Sequence, residues 1–212
     1  MLMDKQAANK KKIQDTAKHL FLTQGYTKVT MDDIALNLGM SKKTLYKHFK
    51  GKYELLAVII EDFKSRMGDG VNKILNNADL EYPVKLKQML KFIAVELSDI
   101  SPILIEDLQR NVPDLWEEIN NYKKEAAFNR FSRLIDEGVK NGHVSPNINQ
   151  PLVVALYASG ISNLINADFY SSMPEEMVQL IPSSPSEIFD HMINIIYEGI
   201  LTEETKKSFH IV

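Results

Sequence analysis

Only two residues, Gly39 and Met40, separate one short apolar-faced segment from the next. Ile34, Ala35 and Leu38 give the first segment its apolar face, and Leu45, Tyr46 and Phe49 belong to the second. Thr30 is a good N-cap, with Asp32 and Asp33 as first-turn acids behind it. Gly39 suits a helix end, and Ser41 is the next N-cap. Two short helices joined by a tight glycine-containing turn make a helix-turn-helix. Upstream, Lys10 to Gln24 carries Ile13, Ala17, Leu20 and Phe21 at the i, i+4, i+7, i+8 spacing of an amphipathic helix, and Gly25 follows it. The spacing therefore predicts a three-helix head.

The charge is divided along the chain. The net charge is −3, yet residues 1–52 hold eleven lysines, no arginine and four aspartates, a net +7. The other 160 residues consequently carry −10. A basic head on an acidic body suits a polyanionic partner. A basic segment can also be no more than a solvated tail, so the residues inside the head decide.

They point to duplex DNA. Its major groove admits one α-helix, and side chains near that helix's N-terminal end read base edges. Lys42, Lys43 and Thr44 open the third helix, where Lys can donate to guanine O6 and N7 and Thr can touch a thymine methyl. Tyr46, Lys47 and His48 come a turn later and can donate to phosphate oxygens. Lys52 begins the next helix, where an ammonium beside a helix N-terminus suits another phosphate. Any one exposed lysine is ordinarily just a solvated charge; the weight lies in their shared segment. Leu45 and Phe49, four apart, should pin this helix to the other two.

The runs Gly25-Tyr26-Thr27-Lys28-Val29-Thr30-Met31-Asp32-Asp33-Ile34-Ala35, Leu38-Gly39-Met40-Ser41-Lys42-Lys43-Thr44-Leu45-Tyr46-Lys47-His48-Phe49 and Lys52-Tyr53-Glu54-Leu55-Leu56 resemble the DNA-binding head of the TetR family of bacterial transcriptional regulators. The resemblance covers residues 10–60. It implies an all-helical homodimer, operator binding near a promoter, and release by a small ligand held in the C-terminal domain. It also implies DNA contacts at Thr30, Ser41, Lys42, Lys43, Thr44, Tyr46, Lys47, His48 and Lys52, with Gly25, Ala35, Gly39, Leu45 and Phe49 at structural positions. The Lys-Lys-Thr opening of the recognition helix departs from the usual pattern. It has no Arg, Asn or Gln for bidentate base readout.

Beyond the head, Tyr53 to Lys64, continuing to Met67, reads as a long helix that links it to the body. Gly68 and Gly70 are placed to kink or interrupt that helix. Pro83, Pro102, Pro113 and Pro151 can each open a further helix, because a missing N–H is no loss in the first turn. The helix from Pro113 should end near Gly138 or Gly142. A Ser/Pro-rich link precedes a last long helix over 186–201. No strand-like alternation intervenes.

The expected fold class is therefore all-α: an N-terminal three-helix helix-turn-helix domain (1–52) joined by a long helix to a C-terminal helical ligand-binding and dimerisation domain (53–212). The helices near 151–170, with small residues such as Ala155 and Ser159, and 186–201, with an apolar face, are expected to form a homodimer interface. A dimer would place two recognition helices on a palindromic double-stranded DNA operator with half-sites roughly 34–36 Å apart. A small-molecule effector of unspecified identity would enter an apolar pocket between helices. Candidate lining residues are Met89, Phe92, Leu108, Trp116, Phe128, Phe131, Tyr157 and Ile161. Each of these is also ordinary core material.

Catalysis finds no foothold. Cysteine is absent, so no thiol nucleophile, disulfide or Cys-based zinc site exists. The five histidines are scattered without i, i+4 pairing, which gives no metal site. There is no phosphate-cradling glycine loop, G-x-S-x-G or H-E-x-x-H, and no cofactor is implied. Leu152 to Tyr170 is the most apolar stretch, but Asn163, Asn166 and Asp168 make it a poor bilayer span. The basic start lacks a secretory apolar segment, so the expected site of action is the cytoplasm, away from membranes. The leading expectation is a dimeric, ligand-responsive repressor and not an enzyme. The alternatives are a helical small-molecule-binding protein or enzyme with a vestigial head, and an architectural DNA binder without a ligand.

Overall fold

Prolines stand at the first or second position of four helices, where an absent N–H leaves no bond unmade. The computed structural model describes residues 2–98, 100–164, 167–182 and 202–209, with residues 184, 187, 188, 190, 191, 194, 195 and 199 in the interval between. Its helices are α1 (Leu2–Gln24), α2 (Met31–Leu38), α3 (Lys42–His48), α4 (Lys52–Leu75), α5 (Tyr82–Ser98), α6 (Pro102–Asn111), α7 (Pro113–Ala126), α8 (Ser132–Lys140), α9 (Gln150–Leu164), α10 (Ala167–Ser171), α11 (Glu175–Val178) and α12 (Glu203–Phe209). No β-strand occurs among the described residues, so the all-α expectation holds. Most of the helix expected over 186–201 lies outside the described residues, as does Asn166.

The chain divides into two compact units. The first comprises residues 1–66 and 100–119, the second residues 67–99 and 120–212. In the first, α1 to α3 and the start of α4 close on one apolar core, which α6 and the start of α7 complete through Leu108, Val112 and Leu115. α1 begins eight residues before the expected start at Lys10. Gln6, Ala7 and Ala8 are exposed there, so helix propensity rather than burial extends it.

The second unit is built on Leu86, Met89 and Leu90 of α5, Leu134 and Ile135 of α8, and Val153 and Val154 of α9, all buried. A five-residue π-helical turn, Ala127–Phe131, joins α7 to α8 without breaking the rod. The rod passes through Gly138, where the ring of Tyr82 takes the space a side chain would need. It ends at Gly142, whose φ of 77° is left-handed. Lys85 and Glu137 form a largely buried ion pair at 2.7 Å, tying α5 to α8. The C-terminal segment is fastened to the end of the rod. Thr202 N–H donates to the His143 carbonyl at 3.3 Å, and the His143 Nδ1 and Thr205 Oγ1 atoms are also 3.3 Å apart.

Gly68 and Gly70 do not interrupt α4, which is continuous from Lys52 to Leu75. Each glycine instead admits a neighbour. A Cβ on Gly68 would stand 2.8 Å from the Arg130 guanidinium, and one on Gly70 would stand 2.1 Å from Phe92 Cζ. A glycine inside a helix costs about 1 kcal/mol relative to alanine. Gly70→Ala should nonetheless destabilise, because overpacking an aromatic ring costs about 1–3 kcal/mol and outweighs the gain in propensity. Urea unfolding should show this loss, and Phe92→Ala in the same chain should relieve most of the clash.

Candidate nucleic-acid interface

The head assembles from its caps inward. Thr30 forms a reciprocal capping box with Asp33: the Asp33 N–H donates to Thr30 Oγ1 at 3.2 Å, and the Thr30 N–H donates to Asp33 Oδ2 at 2.8 Å. Gly39 adopts φ 61°, and the N–H groups of Gly39 and Met40 donate to the carbonyls of Leu36 and Ala35. Those two bonds close α2 and turn the chain at once. Ser41 Oγ then accepts from the Thr44 N–H at 3.2 Å and starts α3.

One face of α3 is anchored and the other is free of protein. Leu45 and Phe49 are fully buried in the first unit's core. Ser41, Lys42, Lys43, Tyr46 and Lys47 are exposed, and Thr44 and His48 are half-buried. Lys43 and Lys47 have no salt-bridge partner among the described residues. Lys42 differs, since its ammonium pairs with Asp32 of α2 at 2.5 Å. The hydrogen bond to Asp32 holds Lys42 above its ordinary pKa. Both partners are exposed, so a phosphate or base can compete for the cation at little cost. The Thr30 hydroxyl is already used as a cap.

Lys52 is placed otherwise than its sequence position suggests. Its ammonium donates to the carbonyls of Tyr26 at 2.8 Å and Thr27 at 3.3 Å, and lies 4.2 Å from the centre of the Tyr26 ring. Burial pushes its pKa down, partly offset by the charge of Asp107.

Asp107, on α6, was not singled out by sequence. It accepts from the Thr27 N–H at 2.6 Å, from the Thr27 hydroxyl, and from Asn111 Nδ2 at 2.6 Å. Burial raises its pKa, but these hydrogen bonds and one from the Tyr26 backbone outweigh it and leave the carboxyl below its ordinary range. Gly25 is needed beside it, for a φ of 85° and because a Cβ there would stand 2.9 Å from Asp107 Oδ2. Eighty residues separate Asp107 from Thr27, and no local pattern announces such a pairing.

The residues expected to line an effector pocket are divided between the two units. Leu108 is buried in the first unit's core and Trp116 packs against that same core, whereas Met89, Phe92, Phe128 and Phe131 belong to the second unit. The helix-turn-helix core recruits Leu108 because α6 packs on α1. Met89 and Phe131 are buried and Phe128 is exposed. The side chains of Tyr157 and Ile161 lie outside the described residues. Phe92 does face a recess of about 330 Å³ between α4 and α5, with Gly70, Lys73, Ile74, Leu80 and Gln88.

A pinned, cationic second helix after a glycine turn defines a helix-turn-helix DNA-binding protein. Residues 13–59 match the model of the bacterial regulatory proteins, tetR family. The uncharacterized HTH-type transcriptional regulator YvaF of Bacillus subtilis is 25% identical over 82% of this chain and 87% of its own length. The HTH-type transcriptional repressor KstR2 of Mycolicibacterium smegmatis is 26% identical over 69% of this chain and 73% of its own. The structure of SmeT in complex with triclosan superposes with a TM-score of 0.67 at 15% identity, over 93% of this chain and 94% of that one. The head thus carries the DNA-binding segment of the bacterial regulatory proteins, tetR family, over residues 13–59, and these curated relatives are HTH-type transcriptional regulators.

The capping box makes the head sensitive to acid. Hydrogen bonds from the Thr30 hydroxyl and backbone hold the Asp33 carboxyl below its ordinary pKa. The stability it contributes is complete above the ordinary carboxylate range and is lost as pH falls through the lowered value. Thermal melts of wild type and Asp33→Asn should therefore differ at neutral pH and converge as pH falls through that value.

Proposed function

We propose that the protein is a dimeric repressor that binds a palindromic operator through α3 and leaves it when a small molecule binds the second unit. One observation carries the DNA-binding half of this reading: α3 turns Lys43 and Lys47 outward without a described acidic partner, while Leu45 and Phe49 hold its other face. In this reading Lys42, Lys43 and Thr44 meet base edges, and Thr30, Ser41, Tyr46, Lys47 and His48 meet the backbone. Lys52 stands apart, because its ammonium is already held by two carbonyls. The functional division is a DNA-binding head over 1–52 and a ligand-binding and dimerisation body over 53–212.

A stripe on α9 supports dimerisation. Leu152, Ala155, Leu156 and Ser159 follow the i, i+3, i+4, i+7 spacing and are all exposed, while Val153 and Val154 point into the core. Leu152 is 55% exposed and Leu156 64%, which is a large apolar surface to leave in water. A second copy meeting this stripe buries it symmetrically. Repression is supported by the likeness to KstR2, and a small effector by the SmeT complex with triclosan. Ile74, Leu80 and Phe92 give the recess between α4 and α5 apolar walls, so an apolar or amphipathic effector is the class to screen. No described helix is long and apolar enough to cross a membrane.

Footprinting on DNA upstream of the chain's own gene should show a two-fold site whose affinity falls steeply with salt as counterions are released. Lys43→Ala with Thr44→Ala should cost about 1–3 kcal/mol at the best site and relax base preference. Leu156→Arg should yield monomers in sedimentation equilibrium that bind half-sites weakly. Absence of binding to any duplex at low salt would falsify the reading.

A further inference from the structure

The turn between α1 and α2 is held from both sides by charges that the helix-turn-helix segment does not itself supply. From α6, the Asp107 carboxylate takes the Thr27 N–H and hydroxyl; from the start of α4, the Lys52 ammonium takes the Tyr26 and Thr27 carbonyls. Anion meets N–H and cation meets C=O, so each charge lies at the favourable end of the peptide dipoles it touches. The Tyr26 ring beneath the ammonium packs on Phe21, with ring centres 5.5 Å apart. Asn111, one turn along α6, donates to the same carboxylate and steadies it. Gly25 lacks the side chain that would crowd the carboxylate out. Three residues after Thr27 comes Thr30, the cap that starts α2, and α2 sets the place of α3 through the Gly39 turn.

We propose that Asp107 is a positioning residue for DNA binding, acting with Lys52 as a two-sided clamp on the turn Gly25–Thr27. The DNA-binding machinery thus includes a carboxylate that lies on α6, more than fifty residues beyond α3, and that would repel phosphate if it faced DNA. Lys52 serves this clamp and makes no phosphate contact. The inference rests on the reading of α3 as the recognition helix.

Salt dependence separates positioning from phosphate contact. Losing a phosphate contact lowers the slope of log K against log salt by about one, whereas losing a positioning bond weakens binding at an unchanged slope. The probe is a fluorescent duplex selected by the wild-type protein from a random library. Titrations run at several salt concentrations on wild type, Asp107→Ala, Asp107→Asn, Thr27→Val, Lys52→Met and, as the phosphate control, Lys47→Ala. Circular dichroism confirms each variant folded at the assay temperature.

Folded Asp107→Ala should bind roughly ten-fold more weakly, as expected for lost hydrogen bonds to a charged group, at the wild-type slope. Asp107→Asn, which keeps an acceptor oxygen, should fall between them. Asp107→Ala and Thr27→Val should be non-additive in a double-mutant cycle, since they break the same contact. Lys52→Met should weaken binding without changing the slope, and Lys47→Ala should lower it. Asp107→Ala that melts earlier yet binds as tightly as wild type when folded shows a purely structural role and overturns the inference. A slope that falls by about one in Lys52→Met overturns the clamp assignment of Lys52. If the wild-type protein selects no duplex, the DNA-binding reading falls and this inference with it. If it does and Asp107→Ala is indistinguishable from it, only this inference falls.

Discussion

The burial of Leu45 and Phe49 is the contact on which the DNA-binding surface depends. α3 has seven residues, too few to hold a helix in water from backbone bonds alone. It is helical because those two side chains enter a core shared with Phe21, Ile34 and Leu55, and because Ser41 caps its first turn. Fully burying a side chain of that size contributes about 1.5–3 kcal/mol, more than a helix cap supplies. The same packing dictates which residues face outward. With Leu45 and Phe49 inside, Lys43 and Lys47 have only solvent or a ligand to meet.

That core is larger than the segment that defines the motif. Leu108, Val112 and Leu115 come from α6 and the start of α7 and are buried among residues of the first three helices. The head therefore completes its core with residues from far along the chain, and the Asp107 carboxylate arrives with them. The glycines of α4 belong to the same theme of close approach. At Gly68 and Gly70 an arginine and a phenylalanine press against the backbone of a continuous helix, so the missing side chains serve packing.

Local signals were legible wherever the physics is local. A Thr followed three residues on by Asp, a glycine after an apolar run, and a proline at a helix opening each act within one turn of chain. The caps at Thr30 and Ser41, the turn at Gly39 and the starts near Pro83, Pro102, Pro113 and Pro151 accordingly appear where the residues imply. Lys52 shows the limit of that logic. A lysine at a helix start beside a basic head reads as a phosphate ligand, yet its ammonium is taken by carbonyls 25 and 26 residues earlier. Leu108 and Trp116 show it again, since apolar character marks them for burial without saying in which core.

The sequence by itself determined the all-helical class, the helix-turn-helix and the outward chemistry of α3, because periodicity, capping and charge are properties of neighbouring residues. The tertiary structure alone decided that α6 supplies both apolar core and a carboxylate to the head, that Lys52 turns inward, and that the α4 glycines admit Arg130 and Phe92. Those outcomes depend on contacts between residues tens of positions apart, and such contacts leave no periodic trace in the chain.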